Sequence, residues 1–221
     1  LGDDWKLTDE FLDRAEDAKI TFIGSPNNPT GTCPDPDRVQ SLLERTEGLV
    51  VVDEAYAEFS DRSFLGSVDD QSRLVVLRTL SKAFGLASAR VGFLYGPKAI
   101  VDGINTVRLP YNINAFSQGI GEVLLESHDR FQDRWEQIKE ERSRLRAFLE
   151  DQEFNPCPSS ANFVLFQPSE PDDLYGHLLE DGIRIRQFSG GRISDYLRVT
   201  VGTPEQNRAV MDSLKKYRTG E

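Results

Sequence analysis

Residues 79–92 read TLSKAFGLASARVG. One lysine, Lys82, stands in an otherwise uncharged run that closes on Arg90, eight residues further on. The chain holds seven lysines against nineteen arginines, so a lysine here invites a chemical reading. Its amine can lose a proton and attack a carbonyl, whereas a guanidinium stays charged. On either side lie RLVVLRTL and VGFLYG, two apolar runs that read as strands. Lys82 and Arg90 therefore sit in a loop between strand ends.

Two more such runs precede it, KITFIG and LVVVDEAY, with the turn SPNNPTG between them. None of the four alternates apolar with polar residues, which predicts a sheet covered on both faces. Helices are expected between the strands: Asp9–Asp17, with Thr8 as N-cap, and DPDRVQSLLERTEG, ending at Gly48. Strands alternating with helices imply an α/β architecture with a mostly parallel sheet. From Ser117 to about Asp151 the pattern is one long helical stretch, in which Phe131, Trp135, Ile138, Leu145, Phe148 and Leu149 fall near helical spacing. NFVLFQ, a helix near Pro171, IRIRQF, YLRVTVG and a final helix from Pro204 then make a small α+β unit. The expected organisation is part of a large domain over 1–115, a connecting helix over 116–150 and a small C-terminal domain over 151–221.

With 221 residues the chain can bury a sizeable core. Its 37 acids against 26 bases give a net charge of −11, which argues against nucleic acid or an anionic membrane as partner. No apolar run is long enough to span a bilayer, and Leu1–Lys6 does not resemble a signal peptide, so a cytoplasmic location is expected. The surplus of acid, and of arginine over lysine, fits a halophilic protein working in a salt-rich cytoplasm. Cys33, Cys157, His128 and His177 are isolated and predict neither zinc nor a disulfide; no metal site is expected.

Four features share the strand-end loops, where open α/β sheets gather their ligands. They are Asn28 in NNPTG, Asp53 with Tyr56 in DEAY, Lys82, and Arg90. Asp53 follows an apolar strand and is expected to be partly buried; Lys82 is expected to be partly desolvated, which would free its amine. An amine for an aldehyde, a carboxylate for a ring nitrogen, Asn and Tyr for a phenolic oxygen and an arginine for a phosphate together describe pyridoxal 5′-phosphate.

The order N-P-T-G, D-x-x-Y, S-K, R-x-G resembles the fold-type I pyridoxal-phosphate aminotransferases. The strings SPNNPTGT, VVDEAYAEFS, VLRTLSKAFGLASARVGFLYGP, LPYNINAFSQ and YLRVTVGT are most similar to the histidinol-phosphate aminotransferases. The resemblance implies that Lys82 binds the cofactor's aldehyde and moves the substrate proton. It implies that Asp53 holds the ring nitrogen protonated, and that Tyr56 and Asn28 bond the phenolic oxygen. Thr79, Ser81 and Arg90 would hold the phosphate. Arg198, with Arg186 as a weaker candidate, would grip the acidic end of the substrate. GLASAR stands where the resemblance leads one to expect GLAGLR; small residues at Ser88 and Ala89 keep the loop feasible. The implied reaction transaminates L-histidinol phosphate with 2-oxoglutarate, giving glutamate, in histidine biosynthesis and in a homodimer. The alternatives are an aromatic or aspartate-type aminotransferase, a threonine-phosphate decarboxylase, an inactive fragment, or a ligand-sensing domain. Enzymes of this kind carry a long segment ahead of the position of Leu1, so the chain is expected to be the C-terminal part of a longer protein, with some of its sheet lacking neighbours.

Overall fold

A computed structural model describes residues 1–2 and 4–220. Strands β1 (Ile20–Gly24), β2 (Leu49–Asp53), β3 (Leu74–Thr79) and β4 (Gly92–Tyr95) form one sheet in that order. The first three are parallel and β4 is antiparallel to β3. A second sheet, ordered β5 (Phe163–Phe166), β7 (Leu197–Thr200), β6 (Arg186–Gln187), is antiparallel throughout.

Helices α1 (Asp9–Glu16) and α2 (Pro36–Arg45) begin where the sequence supplies caps. The Thr8 hydroxyl accepts from Phe11 N, and the Asp35 carboxylate accepts from Asp37 N ahead of Pro36. α2 ends at Arg45, a turn short of Gly48. Both helices press Leu12, Val39 and Leu42 onto Ile23, Val50, Val52, Leu74 and Val76, the first core. Each large side chain fully buried in this way contributes about 1.5–3 kcal/mol.

Only the middle strands are covered on both faces. Side chains alternate along a strand, so Ile20 and Phe22 point away from α1 and α2 and are 53% and 66% exposed. Phe93 and Tyr95 on β4 are exposed as well. The expectation of a sheet covered on both faces is thereby corrected for its outer strands.

The sheet is followed by α3 (Lys98–Val107), which the sequence reading did not anticipate. The stretch from Ser117 to Asp151 is two helices, α4 (Ala115–Glu126) and α5 (Gln132–Asp151). A 3₁₀ turn over His128–Phe131 separates them, and the His128 ring donates back to the Leu125 carbonyl at 3.1 Å. On α5, Leu145 and Leu149 belong to the core of the second sheet, closed by α6 (Pro171–Glu180) and α7 (Pro204–Thr219). Its earlier turns carry Trp135 and Ile138 into a third cluster beneath the β2 and β3 loops, with Tyr56, Phe59, Leu80, Phe84 and Phe163. Arg142, between these regions, donates to the carbonyls of Phe59 (2.8 Å) and Ala161 (3.0 Å).

Candidate active site

Because β1, β2 and β3 run parallel, the loops leaving them meet at one edge. The loop carrying Asn28 is held by its own polar residues. Asn27 Nδ2 donates to Thr30 Oγ1 at 2.9 Å, Gly31 N donates to the Asn27 carbonyl at 2.7 Å, and Ser25 N donates to the Asp53 carbonyl at 2.9 Å. Gly31 has φ +79, and a side chain on it would run into Ser159. Glycine is thus required twice over, for its backbone angle and for close packing. The Gly31 carbonyl accepts from Ser160 N, so this loop also touches the segment that leads into β5.

Asp53 ends β2 and its side chain is exposed, which corrects the expectation of a partly buried acid. One Asp53 oxygen accepts from Ala55 N at 3.0 Å. The buried acid is its neighbour Glu54, turned inward and wholly inaccessible. Arg78 on the adjacent strand pairs with it at 2.7 Å and reaches Glu58 at 2.9 Å. Ser63 Oγ and Phe64 N also donate to the Glu54 carboxylate. Two acids thus share one guanidinium, and burial pushes the Glu58 carboxyl up, outweighing the pull of its own backbone N–H and of Arg78.

Lys82 is likewise exposed, so the expected desolvation is corrected. Its Nζ lies 5.4 Å from the centre of the Tyr56 ring. Tyr56 is buried, edge-on to Phe163 at 5.2 Å. The guanidinium of Arg198, on β7, lies 4.7 Å above the other partner, Phe163, and donates through Nη1 to Asn28 Oδ1. Asn28, Arg198, Phe163, Tyr56 and Lys82 therefore form a continuous chain of contacts drawn from both sheets. Burial holds the Arg198 guanidinium below its ordinary value; Arg186 adds to that and Tyr56 opposes it. Arg198 Nε is buried without a partner among the described residues.

Thr79 Oγ1 donates to the Val91 carbonyl at 3.1 Å, accepts from Ser81 N at 3.1 Å and lies 3.0 Å from Ser81 Oγ. Arg90 has the left-handed φ of +57, is exposed, and folds back onto the Ala87 carbonyl at 3.2 Å. Arg186 is the register partner of Arg198 across β6 and β7, and its guanidinium lies 5.6 Å from the Phe188 ring.

The sequence reading did not find Phe163 and Phe188 beside Arg198, the Glu54–Arg78 pair, or Trp135, whose indole N–H donates to the Ala83 carbonyl at 3.0 Å. Glu54 alone carried a readable signal: the strand's period of two places consecutive acids on opposite faces.

The donor set fits pyridoxal phosphate on its own chemistry. An accessible amine stands beside a phenol ring, an acid ends the middle strand, and two hydroxyls and an arginine occupy one loop. Asn28 has its oxygen engaged by Arg198, so its NH₂ is the end left to donate.

Comparison with known proteins agrees. The aminotransferase class I and II family matches residues 3–214. The chain is 37% identical over 223 aligned residues to the histidinol-phosphate aminotransferase of Clostridium kluyveri, covering 98% of this chain and 63% of that protein. It thus spans less than two thirds of that relative's length. The solved histidinol-phosphate aminotransferase of Clostridium acetobutylicum superposes with a TM-score of 0.90 at 26% identity, over 100% of this chain and 70% of that one. The Sinorhizobium meliloti enzyme of that name, solved in complex with pyridoxal-5′-phosphate, shares the fold with a TM-score of 0.81 at 23% identity, over 92% and 58%. The chain belongs to the class I and II aminotransferase family.

Proposed function

We propose that this protein is a pyridoxal-phosphate-dependent aminotransferase that exchanges the amino group between L-histidinol phosphate and 2-oxoglutarate, in histidine biosynthesis. The observation that carries the reading is the Arg198–Asn28 contact. It sets a guanidinium suited to an anion on the Asn28 loop and, across the Phe163 ring, near Tyr56.

Pyridoxal phosphate, when bound, supplies an aldehyde for the amines and a ring that draws electrons from the substrate's α-carbon. Lys82 would hold the aldehyde carbon, and its amine would move the proton of the substrate's α-carbon. Asp53 would hold a proton on the ring nitrogen. Tyr56 and the Asn28 amide would donate to the phenolic oxygen, and Thr79, Ser81 and Arg90 would hold the phosphate.

Arg198 grips the acidic end of either substrate, with Arg186 as its companion. The two arginines face each other across β6 and β7. Like charges so placed repel, and a phosphate or carboxylate between them relieves that repulsion. One planar fork serves both a phosphate and a carboxylate, as two alternating substrates require. The reading carries a cytoplasmic, homodimeric full-length enzyme; the exposed Tyr111 and Phe116 support a surface that becomes covered.

The test is amino transfer to 2-oxoglutarate from histidinol phosphate, tyrosine, phenylalanine and threonine phosphate, each assayed with cofactor added. Preference for histidinol phosphate is expected. R198A should raise KM about ten-fold or more, as loss of a charge-assisted pair does. K82A should abolish turnover and the absorbance near the visible edge that the unaltered protein shows with cofactor added. Preference for another donor overturns the substrate; retention of that band in K82A overturns the site.

A further inference from the structure

The loop that carries Lys82 is mostly tied to itself. Leu80 N donates to the Val91 carbonyl at 3.0 Å, Ser81 N to Thr79 Oγ1 at 3.1 Å, Gly85 N to the Lys82 carbonyl at 3.1 Å and Leu86 N to the Leu80 carbonyl at 3.0 Å. Gly85 takes φ +68 to let the turn close. The Ala83 carbonyl, next to Lys82, is engaged from elsewhere. It accepts from the indole N–H of Trp135, 52 residues away on α5, at 3.0 Å.

That indole is itself fixed. Phe84 meets it edge-on at 5.3 Å and 81°, and Phe131 stacks on it at 6.2 Å and 20°. Phe84 touches Phe131 in turn at 5.2 Å. Three rings thus aim one N–H donor at one carbonyl. Ala83 and Phe84 are buried while Lys82 is exposed. The backbone is therefore gripped from behind as the amine extends in front, towards Tyr56.

We propose that Trp135 is a positioning residue for Lys82. Through the Ala83 carbonyl it fixes where the lysine's backbone stands, and so the place from which a long, flexible side chain reaches the aldehyde. The inference rests on the reading of Lys82 as the aldehyde-binding amine. A lysine side chain has four rotatable bonds, so its reach is only as well defined as the Cα from which it starts. Anchoring that loop to a long helix supplies the definition. W135F keeps a ring between Phe84 and Phe131 but leaves the buried carbonyl without its donor.

The test treats the protein with pyridoxal, traps the product with borohydride, and compares by peptide mass the capture rates at Lys82 and at the exposed Lys98, which serves as an internal reference. A second readout is the circular dichroism near the visible edge per mole of bound pyridoxal phosphate. That quantity follows the orientation of the lysine-linked ring; a mere loss of folded protein does not change it. In W135F the Lys82-to-Lys98 ratio should fall about five-fold, the scale of one lost hydrogen bond, and the ellipticity per bound cofactor should change. Unchanged ratio and ellipticity overturn the inference. If W135F does not fold, F131L decides. It loosens the stacked ring while keeping the N–H, and a fall in the ratio supports the proposal whereas wild-type values reject it. Absence of preferential Lys82 capture in the unaltered protein sinks the reading of Lys82 itself; normal capture there with no change in the variants sinks only the role of Trp135.

Discussion

Arg78, on β3, and Glu54, the residue that follows β2, are joined by a doubled contact, Nη2 at 2.7 Å and Nε at 2.8 Å from one carboxylate oxygen. The carboxylate is wholly buried directly behind Asp53, and Arg78 directly precedes Thr79. Removing one partner leaves the other charged and unpaired in the interior, which costs about 3–5 kcal/mol. R78M should therefore lower the urea midpoint far more than the surface variant R14M, whose ion pair with Glu10 is exposed. Equal midpoints would show that Glu54 is neutralised or solvated by another route.

Glu58 predicts a pH dependence of the opposite sign to that of an ordinary paired acid. Burial raises its folded value above the ordinary 4.5. The folded state therefore holds the proton more tightly than the unfolded state, and stability falls as pH rises from 4.5 through the folded value. E58Q keeps an acceptor for Arg78 without the charge. Its melting temperature should match wild type in acid and exceed it at pH 8, as read by thermal melts across pH.

The two thiols should separate under alkylation. Cys157 is buried and burial pushes its thiol up, so little thiolate forms at pH 8. Cys33 is half-buried, 3.6 Å from Ser60 Oγ. Iodoacetamide on the native protein should label Cys33 first, with Cys157 reacting only as the fold opens. Mass mapping after timed quenching reads the order, and simultaneous labelling would contradict the burial.

The net charge of −11 sets a prediction for salt. A densely acidic surface repels itself, and ions within a Debye length relieve that repulsion. The unfolding midpoint should rise on going from low salt to molar potassium chloride, and a midpoint indifferent to salt would end the expectation of a halophilic protein.

The candidate residues could be picked out because their types and order are restrictive. Asn28, Tyr56, Lys82 and Arg198 were picked out singly along the sequence, and the fold joins them into one line of contacts. Their environments were harder to read. LVVVDE presents two acids in a row, and only the path of the chain decides that Asp53 faces outward and Glu54 inward. Apolar runs such as KITFIG look the same whether helices cover one face of the sheet or both. In α3, Gly103 interrupts the helical pattern. Phe163 and Trp135 act across separations that local periodicity cannot see.

Helix α5 gives its first turns to the packing under Lys82 and its last turns to the second sheet. A nick midway along this rod should therefore loosen the packing under Lys82 and the interior of the second sheet together, while the first core, to which α5 contributes no side chain, stays closed.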